Sequence, residues 1–146
     1  MDDEMDRRTA EEREQAQERT WAMLCHLSAL SGMLGVPMGH LLGPLIVWLI
    51  KKDEYQSVHR HGQEAINFQV SMTLYSLAAL ALVAVLFGLT WLGSGMEELT
   101  LVLPLFFLAG TVGLLWGIAL ICTVLASIRA HEGGMFRYPM TIRFLR

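Results

Sequence analysis

A chain of 146 residues has room for one ordinary domain, but 53% of this one is hydrophobic and its charges avoid three long stretches. No Asp, Glu, Lys or Arg occurs from Thr20 to Ile50, from Ala65 to Met96 or from Leu99 to Ile128. As helix, each stretch would run roughly 45 Å, against a bilayer hydrocarbon core of roughly 30 Å. A soluble protein of this size cannot bury three such segments. The absence of period-two alternation excludes a transmembrane β-barrel. A net charge of −3 with no sizeable basic surface excludes a nucleic-acid binder. The fold class is all-α, a polytopic integral membrane helical bundle.

Residues 1–20 hold eight acids and four arginines. Thr9 and Glu12 fit a capping box, but no apolar stripe follows, so this is a solvated helix or a disordered tail. It does not read as a signal peptide, and the first apolar segment is expected to be retained.

The transmembrane domain is expected over 21–130. Its first apolar region, Trp21 to Ile50, is interrupted by GVPMGH at 35–40 and by Gly43–Pro44. Proline removes a backbone donor and crowds the preceding turn. The region is therefore either one kinked span or two short helices, about 21–34 and 40–51, folded as a hairpin. A second span is predicted over about 64–92, a turn at GSGMEE (93–98), and a third span over about 101–129, stopped by HEGG at 131–134. Residues 131–146 form a basic, aromatic segment expected at the membrane interface.

Lys51, Lys52 and Arg60 precede the second span, and Arg129, Arg137, Arg143 and Arg146 follow the third; the loop between these spans carries only Glu97 and Glu98. The positive-inside rule then places the 51–63 loop and the C-terminus in the cytoplasm, in the cytoplasmic (inner) membrane of a bacterium. A hairpin would put the N-terminus, with its four arginines, on the same side.

HRHGQEAINFQV, at 59–70, brings polar groups into an apolar helix. Glu64, Asn67, Ser71 and Tyr75 recur at helical spacing and form one stripe, with His61 and Gln69 beside it. In lipid such a stripe must face other helices or a wet cavity. His26, Ser28, Ser31, Thr123 and Ser127 are candidate partners, and Arg60 or Arg129 could pair with Glu64. The stripe reads as inter-helix packing or as the lining of a path.

HLSAL at 26–30, GPLIVWLIKKDE at 43–54, HGQEAINFQ at 61–69 and RYPMTIR at 137–143 resemble a family of small bacterial membrane proteins of unknown function. That family is grouped with the Tic-twenty component of the chloroplast inner-envelope translocon. The resemblance covers about residues 20–146. It implies a compact helical membrane domain with four membrane segments and no known catalytic residue.

Gly39 with Gly43, and Gly113 with Gly117 and Gly110, are small-residue patterns that let helices approach closely in lipid, within the chain or between copies. Arg137, Tyr138, Arg143 and Arg146 are expected at lipid headgroups. The five histidines are scattered, so no metal site or cofactor is predicted. Cys25 and Cys122 read as small apolar residues. No nucleophile–base set or phosphate loop occurs. The leading expectation is a non-enzymatic accessory or scaffold subunit whose partners are the lipid bilayer and a further membrane protein or a second copy. A small transporter or channel component is the alternative, and a protein-translocation factor is a third.

Overall fold

The computed structural model describes residues 1–94 and 98–145, without the side chains of 94 and 98–101. The turn predicted at 93–98 falls on the gap, and it lies outside the described residues together with Arg146. Among the described residues the fold is all-helical. It comprises α1 (Asp2–Leu27), a short 3-10 turn (Ser28–Gly32), α2 (Gly39–Lys51), α3 (Gln56–Ser94) and α4 (Glu98–His131).

The first apolar region breaks where its glycines and proline stand. Residues 33–38 form an exposed turn, with Gly35 at φ +85° and Met38 at φ +56° in the left-handed region. The chain then doubles back, and α2 packs on the 3-10 turn closely enough that only glycine fits. A Cβ on Gly43 would meet the Ser28 carbonyl, and one on Gly39 would lie 2.8 Å from the Ser31 hydroxyl. Pro44 is buried in α2, where its ring leaves the His40 carbonyl without an intrahelical partner. α2 then follows α3 in the opposite sense: His40 meets Thr73, and Trp48 lies over Gly62.

α3 begins at Gln56, earlier than the apolar pattern alone marks. Its start is held from α1: the Glu18 carboxylate accepts the Ser57 N–H at 3.1 Å, and Tyr55 Oη donates to Gln17 Oε1 at 3.4 Å. The carboxylate at a helix N-terminus satisfies an orphan donor and complements the dipole. At the opposite pole of the same dipole logic, the Arg19 guanidinium lies against Gly133, the φ +81° residue after the last turn of α4. The acidic N-terminal segment is thus continuous with α1, and its last turn clasps both long helices.

The core occupies one end of the molecule. Ala22, Cys25, Tyr55, Val58 and Ala130 form one apolar cluster, and Phe68, Met72, Cys122, Ala126 and Tyr138 another. No residue of α3 beyond Met72 is buried, and no described residue of α4 before Cys122 is. From Leu74 to Ser94, α3 rises about 31 Å, close to the hydrocarbon thickness of a bilayer. Over that length Leu77, Leu82, Val85 and Leu89 on α3, and Leu105, Phe106 and Leu114 on α4, all stand exposed. Within the described residues, α3 and α4 are the two helices long and apolar enough to cross a membrane, and α2, with 13 residues, is too short. The two long apolar helices are compatible with a membrane bundle.

Gly110, Gly113 and Gly117 differ from the other small-residue pair. Nothing lies within 4 Å of a Cβ placed on any of them. Among the described residues no close helix approach requires glycine at these three positions.

Candidate functional site

The polar stripe of α3 has one main partner: the chain's own C-terminal segment. After α4 the backbone turns at Pro139–Met140, with Met140 at φ +59°, and runs back along α3. Tyr75 Oη donates to the Met140 carbonyl at 2.7 Å, and Ser71 Oγ accepts the Ile142 N–H at 2.9 Å. Asn67 closes the series: its Oδ1 accepts the N–H groups of Phe144 (3.1 Å) and Leu145 (2.9 Å), while its Nδ2 donates to the Leu145 carbonyl at 3.0 Å. Arg143 Nε reaches Glu64 Oε1 at 3.2 Å. An extended segment has a row of unpaired backbone groups, and a helix can satisfy them only through side chains. Residues at helical spacing supply those side chains in register.

Arg143 therefore pairs with Glu64, in place of Arg60 or Arg129; Arg129 lies 3.9 Å from Glu132. Glu64 Oε2 and Thr141 Oγ1 are buried without a partner among the described residues. Tyr138, expected at the headgroups, is 4% exposed instead. Pro139 follows it and folds it inward, where its ring stacks on Phe68 at 4.0 Å and 15°. Arg137 stays exposed.

His61 faces α1. A buried chain of hydrogen bonds runs from Tyr138 Oη to His26 Nδ1 (2.9 Å) and from His26 Nε2 to His61 Nδ1 (2.9 Å). Burial pushes the Tyr138 phenol well above its usual range, against a smaller opposite effect from the Thr123 hydroxyl, so it remains a donor. Tyr138 then gives its proton to Nδ1 of His26, which leaves the His26 proton on Nε2 to bond His61. One row ties α1, α3 and the C-terminal segment together. Among the expected partners His26 thus serves His61, while Ser127 turns back on the Thr123 carbonyl and Ser31 holds the hairpin through the Gly39 carbonyl. Gln69 points elsewhere, into a pocket between α3, α4 and the hairpin.

Chemically, the arrangement fastens and orders. Asn67, Ser71 and Tyr75 are spent on backbone groups and Glu64 on Arg143, and no set of three or more His, Cys, Asp or Glu converges among the described residues.

The profile of the magnetosome magnetite crystal formation protein family, MamF/MmsF, matches residues 17–145. The chain belongs to this family. The match overturns the resemblance to Tic-twenty-like proteins: HLSAL, GPLIVWLIKKDE, HGQEAINFQ and RYPMTIR all lie within the residues that the magnetosome family matches. Neither a curated protein nor a solved structure matches the chain. Membership in the family and the two long apolar helices together make this a membrane protein.

The sequence named the stripe but not its occupant. The signal was present in RYPMTIR, at 137–143. A proline followed by β-branched residues favours extended backbone, and extended backbone beside a helix needs side-chain partners.

Proposed function

We propose that the protein is a non-enzymatic accessory subunit of magnetite crystal formation, seated in the magnetosome membrane. The observation that carries this reading is the family profile across 17–145, joined to a fold with two bare apolar helices and a polar core at one end only. The positive-inside pattern places the cored end, with α1 and the C-terminal segment, on the cytoplasmic face. The opposite end of α3 and α4 then faces the compartment in which the crystal grows. The stripe that favoured a solute path is filled by residues 140–145, which weighs against the transporter alternative.

Deleting the gene in the magnetite-forming cell that carries it tests the proposal. The expected result is an altered size or shape of crystals inside vesicles that still form, restored by the wild-type gene. Crystals of unchanged dimensions would overturn it.

A further inference from the structure

The pocket that receives Gln69 lies between the 3-10 turn, α2, α3 and α4, and has a volume of about 160 Å³. Met72, Leu115 and Ala119 form its apolar walls; His40, Thr73 and Ser76 stand with Gln69 at its polar side. No Asp, Glu, Lys or Arg lines it. Gln69 is 6% exposed, and its backbone carbonyl takes the Thr73 hydroxyl at 2.8 Å. Its side chain is part of the pocket wall. A carboxamide in the wall of a largely apolar, uncharged pocket offers a guest both a hydrogen-bond donor and an acceptor.

Size, charge and access narrow the ligand. An apolar cavity of about 150 Å³ admits benzene, so this pocket is the size of one six-membered ring. His40, bonded to Thr73 at 3.1 Å, presents its ring 6.1 Å from that of Trp116, an aromatic flank for a flat guest. A phosphate or ammonium headgroup would enter with no counter-charge, at a cost that a membrane site cannot offset. Met33, Leu77 and Leu120 line the pocket and are exposed where the bare helices begin. A guest therefore arrives from the hydrocarbon, uncharged, flat and bearing an oxygen that accepts a hydrogen bond.

We infer that this pocket binds the ring of a neutral isoprenoid quinone. A ring carbonyl accepts from the Gln69 amide, and the tail passes Leu77 and Leu120 into the bilayer. The site is separate from the groove that holds the C-terminal segment, and it stands or falls independently of the role in crystal formation.

Isothermal titration of the full-length protein in mild detergent with a decyl-substituted benzoquinone is the test, after organic extraction of a parallel sample for quinone already bound. Extracted quinone near one per chain, or saturable one-to-one binding, is expected. Gln69→Leu should weaken binding about tenfold, the loss of one hydrogen bond. It should leave the fold intact, because the carboxamide belongs to the pocket wall. Ala119→Phe, which fills the pocket, should abolish binding with unchanged helical circular dichroism. No bound quinone together with no saturable heat, or equal affinity in Gln69→Leu, would overturn the inference. Displacement of the quinone by a ten-carbon lysophosphatidylcholine with equal potency would overturn it as well, since the pocket would then be holding an alkyl tail alone.

Discussion

Asn67→Leu should release the C-terminal segment while leaving the helices in place. Asn67 is 2% exposed and makes three hydrogen bonds to the backbone of Phe144 and Leu145. Leucine has the same branched heavy-atom skeleton and offers none of them. Phe144 is exposed and Leu145 partly so, which lets their freed backbone groups find water. Each lost bond therefore costs about 1 kcal/mol, the low end for such a deletion, and the set about 2–3 kcal/mol. That raises the population of the undocked segment roughly 30- to 150-fold. Trypsin reads this population directly, because Arg143 must leave the groove before its peptide bond enters a protease, and slow cleavage tracks the open fraction. Mass spectrometry of the detergent-purified protein would follow loss of the residues after Arg143. Glu64→Gln supplies an internal scale: its partner Arg143 has a side chain 48% exposed, and such a pair is worth under about 1 kcal/mol, a few-fold in rate. Equal cleavage rates in wild type and Asn67→Leu would show that the groove does not hold the segment through Asn67.

Two further substitutions probe the ends of the fold. Gly43→Ala should destabilise by about 1–3 kcal/mol, since its Cβ meets the Ser28 carbonyl carbon at 2.7 Å and backbone cannot yield cheaply. Gly113→Ala, where nothing lies within 4 Å, should be neutral or stabilising by up to about 1 kcal/mol from helix propensity. Thermal unfolding in detergent separates the two, and a Gly43→Ala midpoint at or above that of Gly113→Ala would contradict the close hairpin. Glu18→Ala should cost about 1 kcal/mol by uncapping α3, with faster amide exchange confined to the first turn after Tyr55; protection unchanged at Ser57 would remove Glu18 from that role.

The bilayer-length elements were legible because lipid allows so few solutions. Uncharged runs of about thirty residues can only be apolar helices. The break at 33–38 was legible as a break because glycine and proline disfavour helix at any depth, and the N-terminal arginines favoured a hairpin over one kinked span without deciding it. What decided the geometry was a tertiary contact, Gly43 against Ser28. The stripe of Glu64, Asn67, Ser71 and Tyr75 could be read from spacing alone, since spacing fixes which residues share a face. Its occupant could not, because a helix face says nothing about which distant segment docks on it. Tyr138 was misplaced for a related reason. An aromatic residue beside arginines has the composition of a membrane interface, and only the turn at Pro139–Met140 sends its ring inward. The family was misread from four short segments, which cover too little of the chain to separate one family of small helical proteins from another.

The acidic start of the chain divides at a point that the fold explains. The family profile begins at residue 17. The first interactions of α1 with the other helices come from Gln17, Glu18 and Arg19: one bonds Tyr55, one caps α3, and one lies on the end of α4. Before residue 17 every side chain is exposed, and the bonds made there stay within the helix. A shared fold constrains residues through contacts, so the profile should begin where contacts begin, and it does. Residues 2–16 are then free to vary in sequence without cost to the bundle. Their acids sit on a helix whose last turn is locked against the start of α3 and the end of α4. A charged helix held this way points along a direction set by the bundle, which a disordered tail of the same composition cannot do.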